Sequence, residues 1–410
     1  MDQNSRFMIK AFRKYYKGNA PVLPERFGRR EFGFMFFDRT FVQRHLGFPR
    51  ADDIRRFLIS QVPAHCYYST AYYRDPSAPT MDDKTWLGAD LIFDLDADHL
   101  TGADKMTYAD MLERIKREMM NLVDSFICGD FGFDEKEVSI VFSGGRGYHA
   151  HVSSPKVLTL GPPERREIVD YVTSKGLSID WAFPRKETAT SAVNIGKQKL
   201  TNYTTDRLVP GPDSGGWRLR MRGGLSTVTE DILSMDPKEL KKRYPSVEKT
   251  ADRTLLTVRS DVGSSKNSLF ERNTMAALTK KSQEIILKIL TEDVIISLAG
   301  EVDEPVTADV KRLIRLPGSV HGKSGLRVTP LSRNELDEFD PLRDAVPAEY
   351  SHDPVKITMK RDSEITILGE RMPLRGETEV PEYAAVFLIG RKMADFGHTA
   401  DQCSSMSFPQ

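Results

Sequence analysis

A chain of 410 residues is long enough for one large domain or two smaller ones, each with a buried core. Its hydrophobic fraction of 39% and charged fraction of 29% are typical of a globular protein, and 59 basic residues balance 59 acidic ones. The longest apolar runs, such as residues 294–299, are too short to span a bilayer, and residues 1–16 carry basic side chains where a secretory signal needs an apolar stretch. Three widely spaced cysteines favour a reducing compartment, so we expect a cytoplasmic protein without membrane association.

The first 155 residues mix strand and helix patterns, which we expect to surround one sheet. A helix is predicted over residues 108–127, where apolar residues recur at intervals of three and four. Strand patterns, apolar or aromatic and bounded by turn residues, occupy the segments 29–37, 64–73, 91–96, 138–142 and 149–152.

After Pro155 the sequence becomes richer in helix patterns. We expect helices over 164–175, 236–244 and 283–298, and returning strands over 312–316 and 326–329. The fold class predicted from this order is α/β in the broad sense, α+β, with a mixed sheet. The predicted domains are a discontinuous α/β core, 1–160 and 285–390, a mainly helical inserted subdomain, 161–284, and a flexible tail, 391–410.

Two carboxylates end the apolar strand 91–96. Asp94 and Asp96 are two residues apart, so they share one face of the strand. Asp98 follows, and such a cluster of like charges is unfavourable unless a cation offsets it. The pattern predicts a site for Mg²⁺ or Mn²⁺, with a solvated strand end as the simpler alternative. A phosphatase of the haloacid dehalogenase type also uses a D-x-D strand, but it has Thr or Val where this chain has Asp98.

A glycine-rich segment, Ser-Gly-Gly-Arg-Gly at 143–147, follows the strand 138–142. The glycines allow the backbone to approach a ligand closely, Ser143 offers a hydroxyl, Arg146 a planar cation and His149 another donor. This set suits a triphosphate, although the spacing is neither that of a Walker P-loop nor that of the dinucleotide motif. A glycine-rich hairpin with an incidental arginine is the alternative.

A third segment, Arg-Leu-Pro-Gly-Ser-Val-His at 315–321, places a basic residue before a tight turn and a histidine after it. Arg315 and His321 could clamp phosphates from a second side, although a histidine after a turn is usually structural or solvated. Asp303 lies twelve residues before Arg315.

Basic and apolar residues also alternate in the segment 217–222. We interpret it as a strand that presents three arginines, Arg218, Arg220 and Arg222, on one face, where they would contact the phosphates of a single-stranded template. A solvated strand edge is the alternative.

Taken in chain order, the three motifs resemble the catalytic small subunit of archaeal and eukaryotic DNA primase. The matching segments are Phe-Asp-Leu-Asp at 93–96, Ser-Gly-x-Arg-Gly-x-His at 143–149 and Arg-Leu-Pro-x-Ser-Val-His at 315–321, with Asp303 before the last. Segments 30–32 and 67–73 are also similar, so the resemblance spans roughly residues 5–330. It implies the archaeo-eukaryotic primase core as the fold.

The resemblance also implies residue roles. Asp94, Asp96 and Asp303 match the family's metal-binding carboxylates. The positions that match its nucleotide-binding residues are Ser143, Arg146, His149, Arg315 and His321, and Arg44 corresponds to a further nucleotide contact in an alignment that needs a gap. Family members commonly carry a zinc knuckle after the D-x-D strand; residues 98–111 contain no cysteine and only His99, so no structural zinc is expected there.

The function implied is template-directed synthesis of short primers on single-stranded DNA for DNA replication. Two metal ions, Mg²⁺ or Mn²⁺, would assist nucleotidyl transfer from nucleoside triphosphates, and a large subunit would complete a heterodimer. A non-catalytic nucleic-acid-binding subunit of the same fold is the alternative, although such a protein has no physical reason to retain three acidic residues at these positions.

Overall fold

The structure of the protein is a computed structural model that describes residues 1–97, 106–195 and 198–397. Helices and small antiparallel sheets are intermixed along the chain, so the predicted α+β class is confirmed. Contacts divide the chain into two compact units. The first contains residues 1–124, 133–169 and 301 onward, and the second contains residues 125–132 and 170–300. The predicted domain boundaries remain predictions.

The helices have the following bounds. The α-helices are α1 Gln3–Gly18, α2 Ala51–Gln61, α3 Tyr108–Asn121, α4 Pro162–Val172, α5 Ile179–Ala182, α6 Gly216–Ser234, α7 Pro237–Arg243, α8 Asp252–Phe270, α9 Lys280–Ile289, α10 Ile295–Leu298, α11 Glu304–Ala308, α12 Arg333–Glu338, α13 Pro341–Asp344 and α14 Glu382–Gly390. Short 3₁₀-helices cover Phe27–Arg29, Glu135–Glu137 and Pro245–Val247, and π-helical turns cover Leu122–Asp130 and Leu290–Val294. Among the helices of the described ranges, none has the length and apolar character that crossing a membrane requires.

The strands have the following bounds: β1 Phe32–Met35, β2 Gln43–Leu46, β3 His65–Ser69, β4 Ala71–Tyr73, β5 Trp86–Ala89, β6 Leu91–Asp96, β7 Val138–Phe142, β8 Gly147–Val152, β9 Arg185–Ile195, β10 Gln198–Arg207, β11 Leu313–Arg315, β12 Thr329–Leu331, β13 Pro354–Met359, β14 Ser363–Ile367, β15 Glu370–Leu374, β16 Glu377–Pro381 and β17 Ala394–Phe396. Two four-stranded sheets of the first unit matter for function, with strand orders β11-β3-β1-β2 and β12-β7-β8-β6.

Several predictions about these sheets need correction. Every strand pair within the described residues is antiparallel, so the predicted mixed sheet is wrong. The single sheet expected for the first 155 residues is divided among separate sheets, two of which also recruit strands from beyond residue 312. The predicted inserted subdomain contains a long hairpin, β9–β10, besides its helices. The segment predicted to be an unstructured tail contains β17, which pairs with β13.

The strand predicted at 217–222 is also wrong, because this segment opens the helix α6. Its buried residues Trp217, Met221, Leu225, Val228 and Ile232 are spaced by three or four positions, which is the period of a helix. Alternation over six residues resembled a strand only because the window was too short to reveal that period.

A buried ion pair fixes the start of β6, the strand that carries the two carboxylates. Asp90 immediately precedes β6, and its Oδ2 lies 2.5 Å from Nη2 of Arg30, with both side chains almost fully buried. The Tyr72 hydroxyl donates to the other carboxylate oxygen at 2.8 Å, and Arg165 donates to the Asp90 backbone carbonyl at 2.7 Å. Because a buried charge without its partner is costly, this network restricts where β6 can lie.

Candidate active site

Asp94 and Asp96 project from one face of β6 into a pocket. Their neighbours along the strand, Phe93 and Leu95, are buried, as expected when one face packs into the core and the other meets a site. In the antiparallel pair β6–β8, Asp94 lies opposite His149, and the two side chains approach to 3.3 Å between Oδ1 and Nε2. The sequence therefore brings a carboxylate pair and a histidine together by strand register alone.

The segment 143–147 forms a tight connection between β7 and β8. The Ser143 hydroxyl accepts hydrogen bonds from the backbone N–H groups of Gly145 and Gly147, each at 3.3 Å, which shapes the turn. A side chain at Gly147 would collide with the backbone of β6, because its Cβ would lie 2.2 Å from the Leu95 carbonyl oxygen. Tyr108 of α3 donates from its hydroxyl to the Gly145 carbonyl. This loop is thus held against the carboxylate strand.

Arg315 of β11 lies between two histidines. Its Nη1 is 2.6 Å from Nδ1 of His65, its Nη2 is 3.0 Å from Nε2 of His321, and its guanidinium lies 4.6 Å from the Tyr67 ring centroid. A guanidinium can only donate hydrogen bonds, so both histidine nitrogens must be unprotonated acceptors. The arginine is therefore oriented by two neutral imidazoles and an aromatic ring.

The pKa values of these histidines agree with that assignment. Burial, followed by the charges of Arg315 and Lys323, lowers the pKa of His65 to about 2. Burial also lowers the pKa of His321 well below its ordinary value, and Arg315 adds to the shift. His149 behaves in the same way, with burial as the main cause. All three imidazoles are neutral at physiological pH.

These groups line one pocket of about 580 Å³. The structure brings together seven of the residues predicted from the sequence: Asp94, Asp96, Ser143, Arg146, His149, Arg315 and His321. It adds polar residues that were not among the predicted site residues: Tyr67, Arg312, Lys323, Ser324, Arg391 and Lys392. Among the described residues, six arginines and lysines and two aspartates line the pocket, and this excess of positive charge makes it attractive to a polyanion.

Asp303 reaches the site through its backbone. Its N–H donates to the Asp94 carbonyl at 3.0 Å, at the start of α11, but its side chain is not part of the pocket lining. Within the described ranges, no group of three His, Cys, Asp or Glu side chains is arranged to hold a metal ion. The role of Asp303 as a third metal ligand remains a prediction. The expected absence of a zinc knuckle rests partly on residues 98–105, which lie outside the described residues.

Arg44 is placed elsewhere, in a structural ion pair. Its Nε and Nη2 donate to the two carboxylate oxygens of Glu31 at 3.0 and 3.1 Å, and the His45 N–H donates to the same carboxylate at 2.9 Å. Glu31 is fully buried. Burial raises the pKa of this carboxyl, but the hydrogen bonds from Arg44 and His45 outweigh that effect and lower it overall. Arg44 does not line the pocket.

The three arginines of α6 do not form a common face. On a helix, positions two apart point in nearly opposite directions, so Arg220 diverges from Arg218 and Arg222. Arg218 lies over the Trp181 ring at 4.7 Å, and Arg220 bonds to Asp130. Arg222 donates to the carbonyls of Pro210 and Phe270 and to the Asn273 side chain. Each arginine thus has a local structural partner.

The missed pocket residues gave little signal in the sequence. Lys323 follows the third motif directly, within His-Gly-Lys-Ser-Gly at 321–325, so extending that motif would have included it. Tyr67 is found only from the pairing of β3 with β11, which sets it opposite Arg315. Arg391 and Lys392 arrive from the end of α14, far along the chain.

The fold and pocket define a class of protein. Two carboxylates beside clustered arginines and a glycine-rich loop suit enzymes that transfer a nucleotidyl or phosphoryl group from a polyphosphate, since such catalysis depends on positioning and charge stabilisation. The comparisons with known proteins narrow this class. A family model, "DNA primase small subunit", matches residues 93–333.

The chain also resembles archaeal relatives along nearly its whole length. It is 41% identical to the DNA primase small subunit PriS of Methanococcoides burtonii, covering 97% of this chain and 100% of the relative. The corresponding proteins of Methanocella arvoryzae and Methanothrix thermoacetophila are 41% and 40% identical, each over 96% of this chain and 99% of the relative. The chain belongs to the DNA primase small-subunit family, and it is a primer-synthesising nucleotidyltransferase.

Proposed function

We propose that the pocket joins nucleotides on a single-stranded DNA template, with Asp94 and Asp96 at the reacting centre and the surrounding cations on the incoming nucleoside triphosphate. The observation that carries this proposal is the pocket itself, whose lining combines a carboxylate pair on one strand with six arginines and lysines of the described residues. A pocket built only to bind nucleic-acid phosphates has no use for two carboxylates, because they repel the ligand.

The donor set fits a hard divalent cation, Mg²⁺ or Mn²⁺. Mg²⁺ is usually held by one or two carboxylates together with substrate phosphates, so two aspartates in an open pocket suffice for the protein's share. Asp94 and Asp96 are proposed to hold the metal, with Asp303, whose backbone N–H bonds to the Asp94 carbonyl, as a third carboxylate. When bound, the metal activates a 3′-hydroxyl and stabilises the pyrophosphate that leaves.

The remaining residues position the triphosphate. Arg315 is proposed to contact phosphate oxygens with the guanidinium edge that His65 and His321 leave free, since those neutral imidazoles fix its orientation without neutralising its charge. Arg146 and Ser143 are proposed to contact the phosphates from the loop after β7. His149 stands beside Asp94, where it is proposed to keep that carboxylate aligned and to contact the nucleotide. Most of the rate enhancement on the protein side then comes from positioning.

The partners proposed are a primase large subunit, with which this chain forms a heterodimer, a single-stranded DNA template and nucleoside triphosphates. The relatives are named as small subunits, which supports a larger companion. We also propose that the protein acts on DNA in the cytoplasm.

The proposal is tested by incorporation of labelled nucleotides on an unprimed single-stranded template with Mg²⁺ or Mn²⁺, with and without the large subunit. The double variant Asp94→Ala/Asp96→Ala should yield no primers while keeping the wild-type circular dichroism spectrum. The matched control Asp82→Ala/Asp83→Ala removes two exposed carboxylates outside the pocket and should retain activity. Normal synthesis by the Asp94→Ala/Asp96→Ala variant would contradict the proposed site. A folded wild-type protein that binds single strands but never makes primers would favour the non-catalytic reading.

A further inference from the structure

The end of α14 forms a wall of the pocket that neither the sequence motifs nor the family match accounts for. Gly390, Arg391 and Lys392 line the pocket but lie beyond residues 93–333. A Cβ at Gly390 would lie 3.1 Å from backbone atoms of Lys323 and Ser324, which is tighter than nearly all real contacts. The glycine therefore lets the helix end pack directly on the turn that follows His321.

Arg391 is tied to the nucleotide loop through Tyr108. Its guanidinium carbon lies 4.1 Å from the Tyr108 ring centroid, a cation–π distance, while the Tyr108 hydroxyl donates to the Gly145 carbonyl. Gly145 directly precedes Arg146 in the loop. Tyr108 thus contacts both Arg391 and the backbone of the loop that carries Arg146.

Helix capping does not explain this arginine. The carbonyls at the end of α14 already accept hydrogen bonds from the backbone N–H groups of residues 391, 392 and 393. Among the described residues, neither Arg391 nor Lys392 has a carboxylate partner. The charge of Arg146 acts on Arg391 and, with burial as the larger cause, lowers its pKa. Two arginines that repel each other in a pocket are stabilised when an anion binds between them.

The position of Arg391 differs from that of Arg315. Arg315 bonds to His65 and His321. Arg391 instead stacks on Tyr108, whose hydroxyl donates to the carbonyl of Gly145 in the glycine-rich loop. If the α-phosphate reacts beside the carboxylates, the terminal phosphate lies two phosphorus atoms further along the ligand and can be contacted by a different wall of the pocket.

We propose that Arg391, stacked on Tyr108 in the pocket that Arg146 also lines, contacts the terminal phosphate of the incoming nucleoside triphosphate and makes the enzyme select triphosphates over diphosphates. Lys392 adds positive charge to the same wall. This inference rests on the proposed function, since it needs a triphosphate in the pocket. It assigns a specificity-determining role to a residue outside the family's matched region.

The test compares the binding of a non-hydrolysable nucleoside triphosphate with that of the matching diphosphate, in the absence of template. The variant Arg391→Ala should bind the triphosphate about tenfold more weakly, or weaker still, because the terminal phosphate loses a charged hydrogen-bond donor. Its affinity for the diphosphate should change little. In elongation of a preformed primer, KM for the nucleotide should rise more than kcat falls. Arg391→Lys keeps the charge but not the planar fork, so it should recover only part of the preference.

The control is Arg361→Ala, which removes an exposed arginine outside the pocket and should match the wild type. An unchanged ratio of triphosphate to diphosphate affinity in Arg391→Ala would overturn the inference, as would a defect confined to initiation on unprimed template with normal elongation. Equal weakening of both ligands would indicate a merely structural role and would also overturn it. If the wild type itself neither binds nor incorporates nucleotides, the proposed function fails, which is a different result.

Discussion

Replacing Gly147 with alanine is expected to separate the two strands that carry the carboxylates and the nucleotide loop. A Cβ at this position would lie 2.2 Å from the backbone oxygen of Leu95, whereas real Cβ contacts under 3.0 Å essentially never occur. The strands β6 and β8 must therefore move apart by about 0.8 Å, the difference of 3.0 and 2.2 Å, beside Asp96. The contact is between two backbones, so no side chain can rotate to relieve it.

The consequence should be a larger loss of activity than of stability. A misplacement of about 1 Å in a site that positions reactants costs roughly a hundredfold in rate. Overpacking of this kind costs about 1–3 kcal/mol of unfolding free energy. The assay is elongation of a preformed primer under saturating nucleotide, at a temperature where circular dichroism shows both proteins folded.

The matched control is Gly223→Ala, because a Cβ there meets nothing within 4 Å on the exposed side of α6. It should leave the rate unchanged and stabilise the helix by about 0.5–1 kcal/mol. Wild-type rate and wild-type unfolding for Gly147→Ala would show that β6 and β8 are not packed as described, and would refute the reasoning.

Two further predictions concern residues around the site. Arg44→Ala should lower the free energy of unfolding, measured in urea, by about 2 kcal/mol, because the buried Glu31 carboxylate loses its partner. The loss is moderate because Arg44 itself is about a third exposed. A raised KM for nucleotide without loss of stability would instead make Arg44 a substrate contact. The folded protein keeps His65 and His151 neutral, with burial lowering their pKa values to about 2 and about 4, whereas the unfolded chain protonates them below about 6.5. Because the unfolded state then binds more protons, stability should fall as pH falls, by roughly 2 kcal/mol for each histidine between pH 7 and 5. His151→Gln should remove its share of that slope in urea titrations, and an unchanged slope would contradict the assignment.

The strands that were predicted correctly are those that a short stretch of sequence is enough to recognise. The strands 138–142 and 91–96 were both predicted with the bounds that the structure gives them. The second of them carries the two carboxylates on one face, as predicted. Both are short apolar runs bounded by turn or polar residues, so their pattern needs no knowledge of the rest of the fold. The register that sets Asp94 opposite His149 then follows from pairing two such strands.

Other features depended on tertiary contacts that no local pattern carries. No local pattern shows that Arg44 pairs with the buried carboxylate of Glu31, thirteen residues earlier, which occupies the Nε–Nη2 edge of its guanidinium; its role as a nucleotide contact remains a prediction. Arg391 joins the pocket only because Gly390 lets α14 pack against the turn at Lys323, a contact between segments far apart in sequence. Such residues can be found from the structure, but a motif search does not reach them.

Asp94 and Asp96 are proposed to hold the divalent metal while Arg146 and Arg315 hold the triphosphate. The most direct measurement is anomalous X-ray diffraction from crystals of the protein with Mn²⁺ and a non-hydrolysable nucleoside triphosphate. We expect a manganese peak within ligand distance of both carboxylates, with the phosphates between Arg146 and Arg315. Manganese bound elsewhere, or a nucleotide whose phosphates avoid these arginines, would contradict this proposal.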